Sequence, residues 1–408
     1  MMRFLMLIAL GFALILLPLC IGATQVKPGA DILIERQLAL LDGKRVGLIT
    51  NHTGRLSGGE FLVDVLLEKG INVVALFGPE HGIRGEADAG EKVGDAKDAK
   101  TGIPVFSLYG KTRKPTDEML ANVDVLVYDI QDVGTRFYTY ISTMGLSMEA
   151  AAERGIPFVV LDRPNPLGGD LLDGPVMEDS LASFVGMYPI PIVYGLTCGE
   201  LAQMINGEHW LRQGVSCSLT VVRMNGWTRS MRWIDTGLRW IPPSPNIPTP
   251  DIAMIYPATC IFEATNISEG RGTSAPFATL GAPFIDSERL LNALNAHAIP
   301  GVEFRSTSFT PISSKFDRVR CEGIQVTITD PSTYQPTLVS FNLLCHLRQL
   351  FPGEFLIRRA SFNRLMGSAN VYDMLMQGSS PSLIRSNWLE DTHRFKSLSR
   401  RYHLYTND

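Results

Sequence analysis

The segment VDVLVYDIQDVGTRFYTY, residues 123–140, decides the fold class, because a strongly apolar strand runs directly into a polar cluster. Its first six residues are typical of a strand that is buried on both faces. Similar short strands are predicted at 46–50, 72–77, 105–108 and 158–161, with helices at 60–69, 117–121 and 138–154. Apolar strands that alternate with helices indicate a parallel sheet covered on both sides, so the sequence predicts a Rossmann-like α/β domain.

Composition and missing motifs exclude several classes of function. The net charge of −4 over 408 residues gives no basic patch or stripe of the kind that nucleic-acid binding requires. No G-x-G-x-x-G fingerprint follows the first strand, where Thr50-Asn-His-Thr-Gly54 stands instead, and no P-loop is present. The sequence therefore predicts neither a nucleic-acid partner nor a cofactor, and the fold class alone leaves the function open.

The second half of the chain begins with a change in composition. Six prolines between Trp240 and Pro257 resist regular structure and predict an extended crossing at 241–257. This crossing separates a Rossmann-like domain, residues 24–240, from a smaller α+β domain, residues 258–408. The smaller domain is predicted to contain strands at 302–305 and 323–329 and helices at 287–298, 336–350 and 382–401.

The N-terminal segment, residues 1–23, reads as a secretory signal peptide. Arg3 precedes an apolar run that Pro18 interrupts, and the small residues Gly22 and Ala23 come before a polar stretch. We therefore expect cleavage after Ala23 and export to the periplasm or the medium. The alternative is an uncleaved membrane anchor, since the apolar segment is barely long enough to span a bilayer.

The cysteines do not form a metal or redox motif. Without Cys20, five remain, and none of them stand at C-x-x-C spacing. Because export permits disulfides, an odd number leaves at least one free thiol. Buried reduced cysteine is the simpler interpretation for most of them.

Polar side chains gather where four of the predicted strands end. In a doubly wound sheet, ligands bind beyond the carboxyl ends of the strands, and parallel strands bring these ends to one rim. The sequence therefore predicts that this rim is one wall of a cleft. The polar residues at the strand ends are Asn51, His52, Glu80, His81, Arg84, Asp129, Gln131, Asp132, Arg136, Asp162, Arg163 and Asn165.

Two motifs admit alternative readings. Glu80-His81 lacks the second histidine of a zincin, because Phe77 stands where it would be, so no metal is predicted. Gly195-Leu-Thr-Cys-Gly199 faintly resembles a nucleophile elbow, but Thr197 and Glu200 fit a capping box that starts a helix at 198–206. We favour the cap, and we interpret Cys198 as a packing residue.

A glycine-rich turn beyond the proline-rich crossing, NISEGRGT at 266–273, holds Glu269 and Arg271. Its glycines also suit an ordinary tight loop. Its place in the chain makes it the predicted opposite wall of the cleft.

Seven motifs in this order resemble the NamZ-type exo-β-N-acetylmuramidases, a family of exported bacterial glycosidases. The motifs are GLITNHTG, LFGPEHGIRG, VYDIQDVGTRFYTYISTM, VLDRPNPLGG, GLTCGELAQMIN, PPSPNIPT and NISEGRGT, and the resemblance runs from about Val46 to the C-terminus. It implies a Rossmann-like domain, a smaller C-terminal domain and an active cleft between them. It also implies release of N-acetylmuramic acid from the non-reducing ends of peptidoglycan fragments.

The resemblance makes Glu80 the expected catalytic glutamate, and the residue chemistry is compatible. Glycoside hydrolysis usually needs two carboxyl groups, so we predict Glu80 as general acid/base with His81 holding or tuning it. The partner carboxylate stays open among Asp129, Asp132 and Glu269. An alternative leaves the substrate's acetamido group as the nucleophile, with one of these carboxylates orienting it.

Substrate recognition is assigned to the remaining polar residues of the cleft. The lactyl carboxylate of N-acetylmuramic acid suits a planar guanidinium, which predicts Arg84, Arg136, Arg163 or Arg271 as its partner. Tyr138 suits stacking on a sugar ring, as does Tyr140. The other predicted substrate contacts are Asn51, His52, Gln131, Asn165 and Glu269.

Two other functions compete with a muramidase. The first is a non-catalytic protein that binds wall fragments on the same scaffold, with Glu80 merely accepting hydrogen bonds from sugar hydroxyls. The second is a hydrolase centred on Thr197 and Cys198. Loss of turnover in Glu80→Gln, binding without turnover, or sensitivity to thiol alkylation would separate the three.

Overall fold

The structure is a computed structural model that describes residues 25–79, 83, 96–110 and 112–407. The predicted signal peptide lies outside these residues, and so do Glu80, His81 and Arg84. No helix within the described ranges combines the length and the apolar character needed to cross a membrane.

The first half of the chain builds a seven-stranded sheet with the spatial order β3-β4-β2-β1-β5-β6-β7. The strands are β1 (Val46–Thr50), β2 (Val73–Gly78), β3 (Ala96–Lys97), β4 (Pro104–Ser107), β5 (Val125–Asp129), β6 (Phe158–Leu161) and β7 (Leu219–Val222). Six of them are parallel, and the two-residue β3 pairs antiparallel with β4 at one edge. The predicted Rossmann-like parallel sheet is confirmed.

Helices cover both faces of this sheet, as strands buried on both faces require. They are α1 (Gly29–Ile32), α2 (Leu62–Glu68), α3 (Tyr140–Arg154) and α4 (Cys198–Gly207). Buried side chains of α1 and α2 pack with Leu48 and Val127 on one face. Those of α3 and α4 pack with Phe77 and Tyr128 on the other. Every residue of β1 and β5 is buried, so the centre of the sheet is the centre of the domain.

The second half forms the smaller α+β domain that the sequence predicts. Its three-stranded antiparallel sheet has the order β8-β10-β9, from β8 (Thr279–Ala282), β9 (Val302–Phe309) and β10 (Cys321–Ile328). The helices are α5 (Pro250–Thr259), α6 (Ser287–Asn295), α7 (Pro336–Leu350), α8 (Arg359–Met366), α9 (Asn370–Met376), α10 (Pro381–Ser386) and α11 (Leu389–Ser399).

Three local predictions differ from the structure. Helix α5 occupies the end of the supposedly extended proline-rich crossing, because Pro250 sits in the first turn, where its missing N–H is not needed, and Thr249 caps the helix. The predicted helix at 382–401 is split into α10 and α11 around Trp388, which is almost fully buried. The predicted helix at 117–121 is only a pair of turns.

Candidate active site

The predicted rim lies at the point where the strand order of the large sheet reverses. β1 pairs with β2 on one side and with β5 on the other, and Thr50 lies opposite Asp129 at the carboxyl ends. Chains that leave this reversal in opposite directions open a crevice, which is where doubly wound sheets bind ligands. The polar loops after β1 and β5 therefore meet where a site is expected.

Two hollows open above this rim. The tyrosine hollow has a volume of about 210 Å³, and its walls come from both halves of the chain. Its polar lining includes Tyr109, Tyr138, Tyr140, Asn246, Glu263 and Arg271. The arginine hollow has a volume of about 300 Å³. Its lining includes Thr53, Arg55, Gln131, Arg163, Arg239 and Trp240.

The segment 242–246 contributes to both hollows: Pro242 lines the arginine hollow, and Asn246 the tyrosine hollow. The rim holds this segment through two side chains. Nε2 of His52 donates to the carbonyl of Pro242 at 2.7 Å, and the hydroxyl of Tyr140 donates to the carbonyl of Pro243 at 2.9 Å. His52 thus positions part of the wall, in addition to lying in the predicted cleft.

The aromatic side of the tyrosine hollow is a packed cluster. Tyr138 packs edge-on against Tyr140, with ring centroids 4.7 Å apart, and against Tyr256 at 6.0 Å. The buried hydroxyl of Tyr138 has no hydrogen-bond partner among the described residues. Burial raises the pKa of Tyr138 well above its usual value, so the hydroxyl stays protonated.

The opposite wall carries a chain of charges from the glycine-rich turn. Arg271 contacts Glu263 at 2.5 Å and Glu269 at 3.3 Å, and Lys315 approaches Glu269 at 2.9 Å. Glu269 is almost fully buried, whereas about a third of the Glu263 side chain is exposed. The predicted wall therefore exists, but Glu263 rather than Glu269 lines the tyrosine hollow.

Asp129 is the partner of Arg163. The guanidinium meets both carboxylate oxygens, at 2.7 and 2.9 Å, and also donates to the carbonyl of Arg55. Burial raises the pKa of Asp129, and the charge of Arg163 partly offsets that rise. Asp129 lines neither hollow, so its contacts support a positioning role at the floor of the site.

Asp132 is a second buried carboxyl group in the loop after β5. Its Oδ2 accepts hydrogen bonds from the Tyr194 hydroxyl and, at 2.6 Å, from the Gly134 amide, while Oδ1 has no partner among the described residues. Burial raises the pKa of Asp132 to about 6. Asp132 lies below the surface of both hollows, and its neighbour Gln131 lines the arginine hollow.

Arg136 lies at the junction of the two domains. Its Nη1 donates to the carbonyls of Pro175 and Ile190, and its Nη2 to those of Leu365 and Met366. The side chain is fully buried, and it lines neither hollow. We therefore assign Arg136 to the domain interface instead of to substrate binding.

Two predicted amide side chains shape the loops of the rim. Oδ1 of Asn51 accepts from the amide and the hydroxyl of Thr53, at 2.9 and 2.6 Å. Oδ1 of Asn165 accepts from the Leu167 amide, and its Nδ2 donates to the carbonyl of Leu196. Both are turn-forming contacts of the kind that asparagine makes after a strand.

The predicted Glu80, His81 and Arg84 lie outside the described residues. In the sequence they follow strand β2, which ends at Gly78. In the sheet, β2 pairs with β1 on the side opposite β5. Among the described residues, no group of three histidine, cysteine or acidic side chains could hold a metal ion.

Comparison with known proteins identifies the family. The N-terminal domain of the exo-β-N-acetylmuramidase NamZ family matches residues 46–251, and its C-terminal domain matches residues 254–405. The chain belongs to the NamZ family. It is 47% identical over 383 residues to the peptidoglycan β-N-acetylmuramidase NamZ of Bacillus subtilis strain 168. The aligned region covers 93% of this chain and 92% of the relative. The predicted glycosidase class is thereby confirmed.

Two crystal structures of DUF1343 family proteins from Bacteroides fragilis share the NamZ fold seen here. The first has a TM-score of 0.88 and 43% identity, and it covers 94% of this chain and 99% of its own. The second has a TM-score of 0.76 and 34% identity, with 94% and 100% coverage. The two-domain architecture is therefore that of the family.

The NamZ assignment agrees with the local structure around Cys198. Thr197 and Glu200 form the predicted capping box at the start of α4, and the Thr197 hydroxyl also donates to Asp162 at 2.7 Å. Burial raises the pKa of the Cys198 thiol well above its usual value, which is the opposite of nucleophile activation. The five described cysteines are all free, and every one except Cys345 is buried.

Sequence reasoning on this NamZ chain missed several residues of the hollows. Glu263 and Tyr109 stand outside the conspicuous motifs, and Arg239 precedes the proline-rich segment, which was interpreted only as a linker. Asn246 was inside a quoted motif without being given a role. The available signal was position: Glu263, Arg239 and Asn246 lie inside a motif or within a few residues of one, and Tyr109 directly follows the predicted strand at 105–108.

Proposed function

We propose that this protein is an exo-acting glycoside hydrolase that releases N-acetylmuramic acid from the non-reducing ends of peptidoglycan fragments. The observation that carries the proposal is the tyrosine hollow, which lies between the two NamZ domains and is lined by residues of three family motifs. Its volume of about 210 Å³ is below the usual range for drug-sized ligands. A hollow of this size favours one terminal sugar over an internal stretch of glycan.

The proposed sugar contacts are aromatic and polar. Tyr138 and Tyr140 offer an apolar surface to one face of the ring. Asn246 lies in the same lining and carries both a donor and an acceptor. These groups suit the hydroxyls and the acetamido group of an N-acetylated sugar.

Glu80 is the proposed general acid/base, with His81 as its positioning partner. The support is the motif GPEHG, which begins at the last residue of β2 in the sequence. For the second group, Glu263 joins Asp129, Asp132 and Glu269, because it alone of the four lines a hollow. We rank Glu263 first, as a group that orients the acetamido nucleophile or the attacking water.

A chromogenic β-N-acetylmuramide tests the catalytic proposal. Glu80→Gln should lower kcat by about 10²- to 10⁴-fold, the usual contribution of a general acid/base. Glu68→Gln, at an exposed position of α2, is the matched control and should keep full activity. Unchanged turnover in Glu80→Gln would refute the assignment, and binding without any wild-type turnover would favour the non-catalytic binder.

The exo mode needs a separate measurement. Peptidoglycan fragments that begin with N-acetylmuramic acid should release only the free monosaccharide. Fragments that begin with N-acetylglucosamine should resist hydrolysis. Release of oligosaccharides from within long strands would contradict the proposal.

We also propose that residues 1–23 direct export. The apolar run, the small residues before Thr24 and the wall-derived substrate support this placement. N-terminal sequencing of protein recovered outside the cytoplasm should begin at Thr24. Recovery of the intact N-terminus in the membrane fraction would indicate the anchored alternative.

A further inference from the structure

The guanidinium groups predicted to bind the lactyl carboxylate have other partners wherever the structure describes them. Arg136 donates to four backbone carbonyls, Arg163 holds Asp129, and Arg271 lies between Glu263 and Glu269. Arg239 differs from all three. It is exposed, it lines the arginine hollow, and it forms no ion pair within the described part of the chain.

The arginine hollow has an unbalanced charge. Arg55, Arg163 and Arg239 line it, and no aspartate or glutamate does so among the described residues. Asp129 neutralises Arg163 from below the surface, while Arg55 donates to carbonyls and lies 3.5 Å from the centre of the Phe61 ring. Within the described lining, Arg239 is therefore the side chain that offers its positive charge to a ligand.

Unused hydrogen-bonding groups surround the same space. Two of the three bonding nitrogens of the Arg163 guanidinium reach Asp129 or a carbonyl, whereas Nη1 has no acceptor in the described residues. The indole Nε1 of Trp233 and the Oε1 of Gln131 are buried and also lack partners there. Both residues line the hollow and are more than nine-tenths buried. Neither of these two atoms has accessible surface, and Oε1 is an acceptor, so the donor that this part of the lining offers to an anion is Nη1 of Arg163.

The walls strengthen any charge interaction inside the hollow. Trp233 packs edge-on against Trp240 with ring centroids 4.8 Å apart, and both rings line the space together with Leu238 and Ile241. A carboxylate held against such walls meets a lower local dielectric than in water, so its attraction to a guanidinium is larger. Arg239 lines the exposed side of this hollow, and Arg163 lines its buried side.

We propose that the arginine hollow binds a carboxylate of the muramic-acid part of the substrate, with Arg239 as a specificity-determining residue. This inference rests on the proposed function. The carboxylate has two possible sources, the lactyl group itself or the stem peptide that extends from it. Both belong to muramic acid and both are absent from N-acetylglucosamine, so the hollow distinguishes the two sugars of the glycan.

Equilibrium binding tests the inference independently of turnover. Isothermal titration calorimetry measures the affinity of the intact protein for free N-acetylmuramic acid, N-acetylglucosamine and an N-acetylmuramoyl peptide. The variants are Arg239→Gln, Arg239→Lys and Arg212→Gln. Arg212 is an equally exposed arginine whose position before β7 places it away from the carboxyl ends of the strands.

Arg239→Gln should lose roughly ten- to a hundredfold of the preference for N-acetylmuramic acid over N-acetylglucosamine, the range expected when a charged hydrogen bond is removed. Arg239→Lys should retain part of that preference. Arg212→Gln, the control, should retain all of it. An effect confined to the free sugar assigns the carboxylate to the lactyl group. An effect confined to the peptide-bearing ligand assigns it to the stem peptide.

Two results would overturn the inference: a wild-type protein that binds neither N-acetylmuramic acid nor the N-acetylmuramoyl peptide more tightly than N-acetylglucosamine, or an Arg239→Gln variant that keeps the wild-type affinity for both of these ligands. Failure of the proposed function would look different. A protein that discriminates through Arg239 but hydrolyses no muramide would retain the carboxylate site and lose the hydrolase assignment.

Discussion

Replacing Arg136 by methionine separates the structural role of this residue from the substrate-binding role that its motif suggests. The guanidinium makes four hydrogen bonds of 2.7 to 2.9 Å to carbonyls, two in each domain. No carboxylate among the described residues balances its charge, and burial lowers the pKa of Arg136 to about 9. The Ile190 carbonyl also accepts from the Met177 amide at 3.2 Å, so three of the four carbonyls depend on this one side chain within the described part of the chain.

The expected loss of stability follows from the backbone carbonyls that lose their hydrogen-bond donor. A buried carbonyl without a donor costs about 1–3 kcal/mol, and the substitution leaves three in that state. Methionine recovers part of this by filling the volume without burying a charge. We therefore expect Arg136→Met to lower the free energy of unfolding by about 3–5 kcal/mol, as for other buried charged groups whose network is broken.

Guanidinium chloride unfolding and steady-state kinetics on the folded fraction measure the two roles. The unfolding midpoint should fall, while the KM for the muramide should stay within about twofold, because Arg136 does not line either hollow. Arg305→Met, at a largely exposed position paired only with Glu303, should change the stability by less than about 0.5 kcal/mol. A stable Arg136→Met protein with a tenfold higher KM would refute the reasoning and restore the substrate-binding role.

Three further predictions concern buried groups outside the hollows. Burial raises the pKa of Asp132 from 3.8 to about 6, so its folded state holds the proton more tightly than the unfolded chain does. The wild type should therefore lose stability as the pH rises from about 4 to 6, by up to about 3 kcal/mol, and Asp132→Asn should lack this loss in unfolding curves taken across that range. Cys198→Ala should keep its kcat, and iodoacetamide should leave the wild-type rate unchanged; inactivation of the wild type but not the variant would contradict the packing role of Cys198. Tyr405→Phe removes the hydroxyl that donates to Asp162 at 2.7 Å and should lower the free energy of unfolding by about 1–3 kcal/mol, and an unchanged melting temperature would show that the C-terminal contact is dispensable.

Five of the seven strands of the large sheet could be predicted because their signals are local, whereas the two-residue β3 and the less buried β7, at the two edges, were missed. Strands buried on both faces are almost continuously apolar, and β6 was predicted with its observed bounds. The capping box at Thr197 is equally local, since it needs two residues three positions apart. Features that depend on four or five neighbouring residues can be predicted from one sequence.

Contacts between distant residues were beyond such reasoning. Arg163 and Arg136 look alike in the sequence, since each is an arginine shortly after an apolar strand. Only tertiary packing gives one a carboxylate partner and the other four carbonyls from two domains. Helix α5 was missed for a related reason, because the position of Pro250 at a helix start, and not the density of prolines, decides its effect.

The junction between the domains indicates that the tyrosine hollow is preformed. In addition to the four hydrogen bonds of Arg136, two carboxylates connect the domains. Asp173 accepts hydrogen bonds from the backbone amide and the hydroxyl of Thr337, and Glu178 accepts one from the Ser368 hydroxyl at 2.6 Å. One continuous apolar cluster joins residues of both halves beneath these contacts. Opening the hollow by a domain hinge would expose this cluster and break all three polar attachments, so its walls keep their spacing when a ligand enters. A hollow of fixed size accepts a single terminal sugar and excludes an internal stretch of glycan. An exo-acting enzyme requires this selection.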